Sequence, residues 1–465
     1  MIRIFRHYIP GSYLLLGLIE ALVLIAAVHG GVFIRLEGDI AGANETFSLL
    51  PSALTFALVM ISAMTAMGLY ERNLREGLRG MVWRIAGAFF LGFLVMSIIF
   101  YLFPELLLWR GAFVLSWVLG LMGILSTRYI FLRLVDQALL KRRILVLGSG
   151  HKAALIDRLL RRKSDRRGFD IIAYVRFEGE PEGVIKGQVV PHDRSLWAIV
   201  EQYEVDEIIV ALDDRRNRFP MEEIVDCRMA GVEIIDLMTF FERQTCKLPL
   251  DLLQPSWLAF SDGFRFSAFR VYAKRLFDIS VSLLILCFTW PVMVITALAI
   301  LVESGGHGGV FYRQERVGQN GKPFSLLKFR SMRTDAEKDG VAQWAQQNDS
   351  RVTSVGRVIR RTRIDELPQV FNVFKGDMSF VGPRPERPVF VESLSKHIPY
   401  FGERHRVKPG ITGWAQICYP YGASDADAGK KLQYDLYYVK NYTLFLDLMI
   451  LFQTAQVVIW GKGAR

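Results

Sequence analysis

The chain has 465 residues, of which 51% are apolar, 22% charged and 12% aromatic, and its mean hydropathy is +0.25. That length suggests about three domains, and the aromatic content with long apolar runs excludes a disordered or collagen-like chain. A net charge of +11 leaves nucleic acid or a membrane surface as the partner, and the apolar runs favour the membrane.

Four apolar runs occupy residues 13–34, 49–70, 85–103 and 112–132. Each is close to the ~20 residues that cross a hydrocarbon core. The first is too long for a signal core and lacks a small-residue cleavage site, so a span is expected rather than a leader. Glu20 lies inside it and is expected to face neighbouring helices or to snorkel, a functional role being the alternative. Arg3 and Arg6 precede the first run, and Arg72, Arg75, Arg79 and Arg84 follow the second. Arg128, Arg133, Lys141, Arg142 and Arg143 flank the end of the fourth. The excess of cations on these sides predicts a cytoplasmic N-terminus and a cytoplasmic remainder after Arg133.

A soluble pattern follows. Strands are predicted at 143–148, 168–175, 206–212 and 232–237, with helices at 151–163, 193–203 and 220–230. Alternation of this kind builds a doubly wound parallel sheet. The first turn, Gly148-Ser149-Gly150-His151-Lys152-Ala153, has the GxGxxA spacing of a phosphate-holding turn. The acid expected at the end of the second strand is missing, because Arg176 stands there and Glu178 is the nearest carboxylate. No YxxxK pair supplies a base for dehydrogenase or epimerase chemistry. A structural or regulatory role is therefore favoured over nucleotide binding. The four cysteines, Cys227, Cys246, Cys287 and Cys418, contain no CxxC pair, so small buried apolar roles are expected.

Residues 241–269, with Pro249 and Pro255, read as a linker. Residues 279–302 carry no charge, and Trp290-Pro291 interrupts them near the middle. A plain fifth span would export the charged remainder of the chain. A kinked helix that enters one leaflet and returns, with Lys274 and Arg275 at the headgroups, is the expected solution.

The candidate chemistry follows this helix. Residues 311–333 hold Arg313, Arg316, Lys322, Lys328, Arg330 and Arg333 between short β-like runs, a density of cations that suits an anionic ligand or a lipid surface. Adjacent carboxylates Asp365 and Glu366 come after Arg360, Arg361 and Arg363. One carboxylate could attack phosphorus and the other hold a divalent cation, with the arginines lowering both pKa values. A solvated helix face with ion pairs is the bland alternative. Arg384 sits between Pro383 and Pro385, where fixed φ angles would present it as a stiff phosphate clamp or merely as part of a surface turn. Residues 443–460 read as a helix that lies on the membrane or packs against the kinked helix.

These residues resemble the bacterial sugar transferases, the polyprenyl-phosphate hexose-1-phosphate transferases or monotopic phosphoglycosyl transferases. The resemblance rests on KRLFD (274–278), Pro291, KFRSM (328–332), IDELPQVFNVFKGDMSFVGPRPE (364–386), VKPGITGWAQI (407–417) and YDLYYVKN (434–441). The first two-thirds look like the long form of the family, and the overall length like its exopolysaccharide-initiating members. The resemblance implies transfer of a sugar-1-phosphate from a UDP-sugar to undecaprenyl phosphate, with release of UMP. It implies Asp365 as nucleophile, an aspartyl-phosphosugar intermediate, and Mg²⁺ held by Glu366 with Asp365. Lys328, Arg330, Arg360, Arg384 and Asp435 are the implied substrate-binding residues. Two departures stand out. Trp290 precedes the proline where many members have serine, and Cys418-Tyr419-Pro420-Tyr421-Gly422 replaces an Asn-Gly-Arg run.

The resulting expectation is an inner-membrane protein of α plus α/β class. Four transmembrane helices (1–140) precede a Rossmann-like domain (141–245) and a linker (246–270). A mainly α catalytic domain (271–465) with a re-entrant helix at about 279–302 follows. Its partners would be a UDP-sugar, undecaprenyl phosphate and the membrane, with a homodimer left open and nucleic acid not expected. A membrane-bound sugar-nucleotide-modifying enzyme and a non-catalytic scaffold are the alternative functions.

Overall fold

The structure, a computed structural model, describes residues 2–4, 7–9, 11–36, 49–70, 78–135, 141–161, 166, 168–180, 185–214, 219–264, 267–306, 308–333, 351–419 and 424–459. The chain divides into two compact units, residues 1–4 with 8–245 and residues 5–7 with 246–465.

The first unit opens with four apolar helices: α1 (Gly11–Arg35), α2 (Leu49–Ala66), α3 (Leu78–Leu102) and α4 (Arg110–Val135). All four are long and apolar enough to cross a membrane, as the hydropathy runs predict. Leu24, Val28, Phe56, Met60, Phe89 and Ile124 form their shared core. At Gly31 the backbones of α1 and α4 approach so closely that a Cβ would lie 2.9 Å from the Ala112 carbonyl oxygen, the usual reason for a small residue between membrane helices.

Glu20 is fully buried and faces its neighbours. Arg128 Nε lies 2.7 Å from its Oε1, and the Tyr70 hydroxyl donates to its Oε2. Arg128 also donates to the Leu69 carbonyl at 2.8 Å, and Arg84 donates to the Met67 carbonyl at 3.0 Å. The end of α2 and the turn after it are thus pinned by charge inside the bundle. Removing one partner strands the other in a low-dielectric site, whereas removing both does not. Arg128→Leu should cost about 3–5 kcal/mol of stability, and Glu20→Leu/Arg128→Leu should recover most of it. Thermal unfolding in detergent measures both.

The remainder of this unit is a five-stranded parallel sheet. Its strands are β1 (Arg142–Leu147), β2 (Phe169–Arg176), β3 (Val189–Pro191), β4 (Glu207–Val210) and β5 (Glu233–Asp236), in the order β3-β2-β1-β4-β5. Helices α5 (His151–Leu159), α6 (Leu196–Tyr203), α7 (Met221–Met229) and α8 (Leu237–Thr245) complete it. Leu145, Leu147, Val175, Ile208 and Val210 are buried, which is why these strands read as unbroken apolar runs. The edge strand β3 escapes sequence reading because it is three residues long and ends in proline. Helix α8 begins directly after β5, four residues before the predicted linker.

In the second unit, residues 246–264 are not a loose connection. The Trp414 indole donates to the Cys246 carbonyl at 2.8 Å, Leu248 N donates to the Gln433 carbonyl at 3.0 Å, and Lys440 lies over the Trp257 ring. This stretch includes a short helix, α9 (Pro255–Phe260). Next comes α10, a single 36-residue helix (Ala268–Glu303) with Pro291 inside it. An antiparallel hairpin, β6 (Phe311–Val317) and β7 (Pro323–Phe329), precedes α11 (Ser354–Arg361), α12 (Gln369–Lys375), β8 (Ser379–Val381) and α13 (Pro388–His397). β9 (Gly410–Thr412), α14 (Trp414–Cys418), α15 (Asp425–Lys440) and α16 (Leu444–Ile459) complete the unit. β8 and β9 pair in parallel. Among the cysteines, all free, Cys227 is buried as expected, whereas Cys287 is exposed on α10.

Candidate active site

The acidic pair sits on a single 3₁₀ turn, Ile364–Glu366, between α11 and α12. Helix α11 is capped by Thr353, whose hydroxyl accepts from Gly356 N at 2.9 Å. Its apolar face is narrow, with Ile359 and Gly356 turned inward. A Cβ at position 356 would lie 2.0 Å from the Ser331 carbonyl oxygen, so only glycine lets α11 approach that strand end. Arg363 adopts the left-handed conformation (φ 60°). That reversal swings the chain so that Asp365 points inward.

Asp365 is buried at 8% exposure, and its Oδ1 has no hydrogen-bond partner among the described residues. Glu366 is different, because three cations converge on its Oε1: Lys328 at 3.3 Å, Arg384 at 3.3 Å and Arg363 at 3.6 Å. The sequence expectation that arginines depress both carboxyls holds for one of them. Burial pushes Glu366 up, but Arg384, Lys328 and Arg363 outweigh it and hold the carboxyl at about 2. At Asp365 burial wins, helped by the Glu366 charge, and the carboxyl is raised despite Lys328, Arg360 and Arg363. Lys328 is itself lowered by burial, against the pull of Glu366.

Lys328 stands on β7, opposite Tyr312 of β6. Its position relative to the turn is set by Asn372 of α12, a residue that sequence reasoning missed. The Asn372 side chain accepts from Leu327 N at 2.9 Å and donates to the Ser325 carbonyl at 2.8 Å. One amide thus joins the strand to the helix that follows the acids.

The loop that carries Arg384 between its two prolines is fixed by bonds to its backbone. Four successive carbonyls are engaged: Pro383 by Gly410 N, Arg384 by the Arg404 guanidinium, Pro385 by the Arg316 guanidinium and Glu386 by Val317 N, at 2.9–3.0 Å. The Arg384 side chain, 44% exposed, extends from this fixed backbone to Glu366.

The other predicted site residues divide. Arg360 acts on Asp365 through its charge. Arg330 makes no described contact with the acids, and among the described residues its buried Nη1 has no hydrogen-bond partner. Asp435 does not reach the acids either. It is buried on α15, 2.8 Å from Arg404, the residue that holds the Arg384 carbonyl. Burial raises the Asp435 carboxyl to about 6 against the pull of Arg404. Arg313, Lys322 and Arg333 are exposed, and Arg316 supports the loop. Residues 420–423, where the run after Ile417 departs from the expected motif, lie outside the described residues.

The cluster offers more cations than carboxylates around an unpartnered buried oxygen, an arrangement suited to a phosphate ester. Among the described residues there is no group of three or more His, Cys, Asp or Glu that could hold a metal. A Mg²⁺ needs fewer, because it is usually held by one or two carboxylates with substrate phosphates and waters. Asp365 Oδ1 and the second oxygen of Glu366 fit that description.

Residues 269–461 match the family model described as bacterial sugar transferase, and residues 65–220 match one described as CoA-binding domain. An uncharacterized sugar transferase of Bacillus subtilis, EpsL, is 41% identical over 192 residues, which are 41% of this chain and 90% of that protein. This chain belongs to the bacterial sugar transferase family. Its relatives include the UDP-N-acetylgalactosamine-undecaprenyl-phosphate N-acetylgalactosaminephosphotransferase of Aeromonas hydrophila, 41% identical over 51% of this chain and 55% of that protein. Another is the undecaprenyl-phosphate glucose phosphotransferase of Komagataeibacter xylinus, 30% identical over 70% of this chain and 60% of that protein. The chain thus spans little more than half the length of these two relatives.

Losing the Asn372 amide leaves the Leu327 N–H and the Ser325 carbonyl unsatisfied. Asn372→Ala should lower stability by about 1–3 kcal/mol, read as a shift of the denaturant or thermal midpoint. An unchanged midpoint would remove Asn372 from its bridging role.

Proposed function

We propose that this sugar transferase moves a sugar-1-phosphate from a UDP-sugar to undecaprenyl phosphate and releases UMP, with Asp365 as the nucleophile. The observation that carries the reading is the buried, unpartnered Asp365 oxygen beside a carboxylate held by Lys328, Arg363 and Arg384. In the first step an Asp365 oxygen forms a bond to the β-phosphorus of the donor, and the bond from that phosphorus to the bridging oxygen breaks. UMP leaves with the electron pair. In the second step an oxygen of the lipid phosphate attacks the same phosphorus, the aspartyl–phosphorus bond breaks, and the Asp365 carboxylate is regenerated with a lipid-linked diphosphate as product. A covalent carrier lets two anionic substrates use one site in turn.

The raised Asp365 carboxyl is a more basic and hence stronger nucleophile than a surface aspartate. Lys328, Arg360 and Arg384 offset charge on the transferring phosphoryl group. Mg²⁺, when bound, would neutralise the diphosphate and the departing UMP, with Glu366 and Asp365 as its protein ligands.

The packing of α10 supports a site at a membrane surface. Near its start, Arg275 donates to the Val373 and Phe374 carbonyls, and Asp278 accepts from Ser379. Near its end, Glu303 accepts from Val355 N, and Met293 and Ile300 share a core with Phe329 and Ile359. A crossing helix would put those ends on opposite sides of a ~30 Å hydrocarbon layer, with one polar unit attached to both. A helix that dips in and returns at Pro291 leaves the whole unit on one side, which in this reading is the cytoplasmic side of a bacterial inner membrane. The lipid-linked product suits the first membrane step of exopolysaccharide assembly.

The deciding experiment measures UMP release by the purified chain with undecaprenyl phosphate, Mg²⁺ and a panel of UDP-sugars. Release with one sugar is expected, and Asp365→Asn should reduce it by about 10³-fold or more. Near-normal turnover of the variant would remove Asp365 from the role.

Asp435 enters as a positioning residue through Arg404. As pH falls through about 6, its carboxyl takes a proton and its hold on Arg404 weakens. Activity should therefore fall below about pH 6 in the native chain, and Asp435→Asn should lack that inflection. The sign for stability is opposite. The folded state binds this proton more tightly than the unfolded chain, whose aspartates titrate near 3.9, so this group adds stability as pH falls from 6 toward 4. A pH–rate profile beside a pH–unfolding profile separates the two effects.

A further inference from the structure

The family description of residues 65–220 implies a CoA ligand, and the GxGxxA turn implies a diphosphate cradle. The residues present do not fit either ligand. In a doubly wound sheet the diphosphate lies in the crevice where strand order reverses, on the amides that open the first helix. Here that crevice lies between β1 and β4. It is lined by the Gly148–Lys152 turn and by residues 211–213, which follow β4.

Two of the chain's own carboxylates occupy the cradle. Asp213 accepts from His151 N and Lys152 N, both at 2.8 Å, so that both of its oxygens cap the N-terminus of α5. Lys152 Nζ in turn donates to the Leu212 and Asp213 carbonyls at 3.1 and 2.8 Å, fastening the acid's backbone. Glu180 reaches back over the glycine turn, where its Oε2 accepts from Ser149 N at 2.8 Å. Its Oε1 is buried without a hydrogen-bond partner among the described residues, and a Cβ on Gly148 would lie 3.1 Å from it. Gly148, at φ +114°, therefore leaves room for a protein carboxylate where a ligand oxygen would otherwise sit. The acid missing at the end of β2 is Glu180, not Glu178, and it faces the amides that a phosphate would use.

We propose that Asp213 and Glu180 are built-in occupants of the diphosphate cradle, so that this domain takes neither CoA nor a dinucleotide through that turn. The amides that would recognise a phosphate are already satisfied by charge-assisted bonds. A diphosphate brought beside two carboxylates would meet like charge. The cradle is a self-ligated anion site that ties β1, β2 and β4 together at their carboxyl ends.

The test is hydrogen–deuterium exchange of the full chain in detergent, read in peptides covering 148–153 and 211–214, with CoA, NAD⁺ and inorganic pyrophosphate as probes. Reading exchange at these peptides separates this site from the cationic cluster of the second unit, which also suits phosphates. In the native chain none of the probes should change exchange there. In Glu180→Gln/Asp213→Asn, exchange at 149–153 should rise about tenfold or more, and pyrophosphate should restore protection. Protection by CoA or NAD⁺ in the native chain would overturn the proposal, as would variant exchange that stays native. If the double variant does not fold, the native-chain arm decides by itself, and Asp213→Asn alone repeats the second arm.

Discussion

A carboxylate that is mostly withdrawn from water must be held by opposite charge or give up its own. Glu366 meets that requirement with three cations drawn from separate stretches of chain. Lys328 lies 38 residues before it, Arg384 lies 18 residues after it, and Arg363 lies on its own turn. Satisfying one buried charge thus brings a strand, a turn and a proline-braced loop to a common point. Asp365, the next residue, inherits a site rich in positive charge without being neutralised itself. The surrounding polar contacts serve the same convergence. Asn372 fixes the strand, Arg404 and Arg316 fix the loop, and the Gly356 contact with Ser331 sets the depth of α11.

Legibility in the sequence follows how local each cause is. The four spans and four of the five parallel strands are decided within windows of about 20 and about 6 residues by apolar content alone, and they stand where the runs placed them. The acid pair and the proline-flanked arginine are visible as neighbours in sequence. Their meeting with Lys328 is visible only through the family resemblance. Asp435 sits on a matching motif, and its charge suggested contact with substrate. Its side chain turns instead toward Arg404, because a buried carboxylate pairs with the nearest buried cation. Asn372, Glu180 and Asp213 gave no signal, since each acts on backbone groups 31 or more residues away. The packing of the linker expected at 246–270 was hidden for a related reason. Prolines mark a break in local structure, but not whether the irregular segment is packed, and Trp257 and Leu248 pack it onto α15.

The polar anchorage of α10 explains how so apolar a helix keeps its place. Lys274 bridges to Asp447 of α16 at 2.6 Å and to the Val381 carbonyl, and Tyr438 donates to the same aspartate at 2.6 Å. Buried charge at the helix base is costly unless every partner is present. This network therefore locks α10, α15, α16 and β8 in one arrangement. It also identifies α16 as a helix that packs on α10 at its start, in keeping with one of the two readings of residues 443–460.

Beyond that anchor the helix turns hydrocarbon outward. Phe288, Trp290, Val294, Ile295 and Leu298 are exposed, whereas Met293, Thr296 and Ile300 face inward. The inward stripe is the core that Ile364 and Leu367 pack against, and these two residues bracket Asp365 and Glu366. In the proposed reading the acid pair is therefore mounted on the helix that meets the lipid. In the proposed reading this fixes the depth of the nucleophile relative to the bilayer without any contact to the lipid chain itself. A polyprenyl phosphate can slide along a membrane but cannot rise from it, so under that proposal the reacting phosphate and the attacking carboxylate would share one plane. The remaining search would then be two-dimensional, and a cluster with surplus cations at that plane would complete the capture.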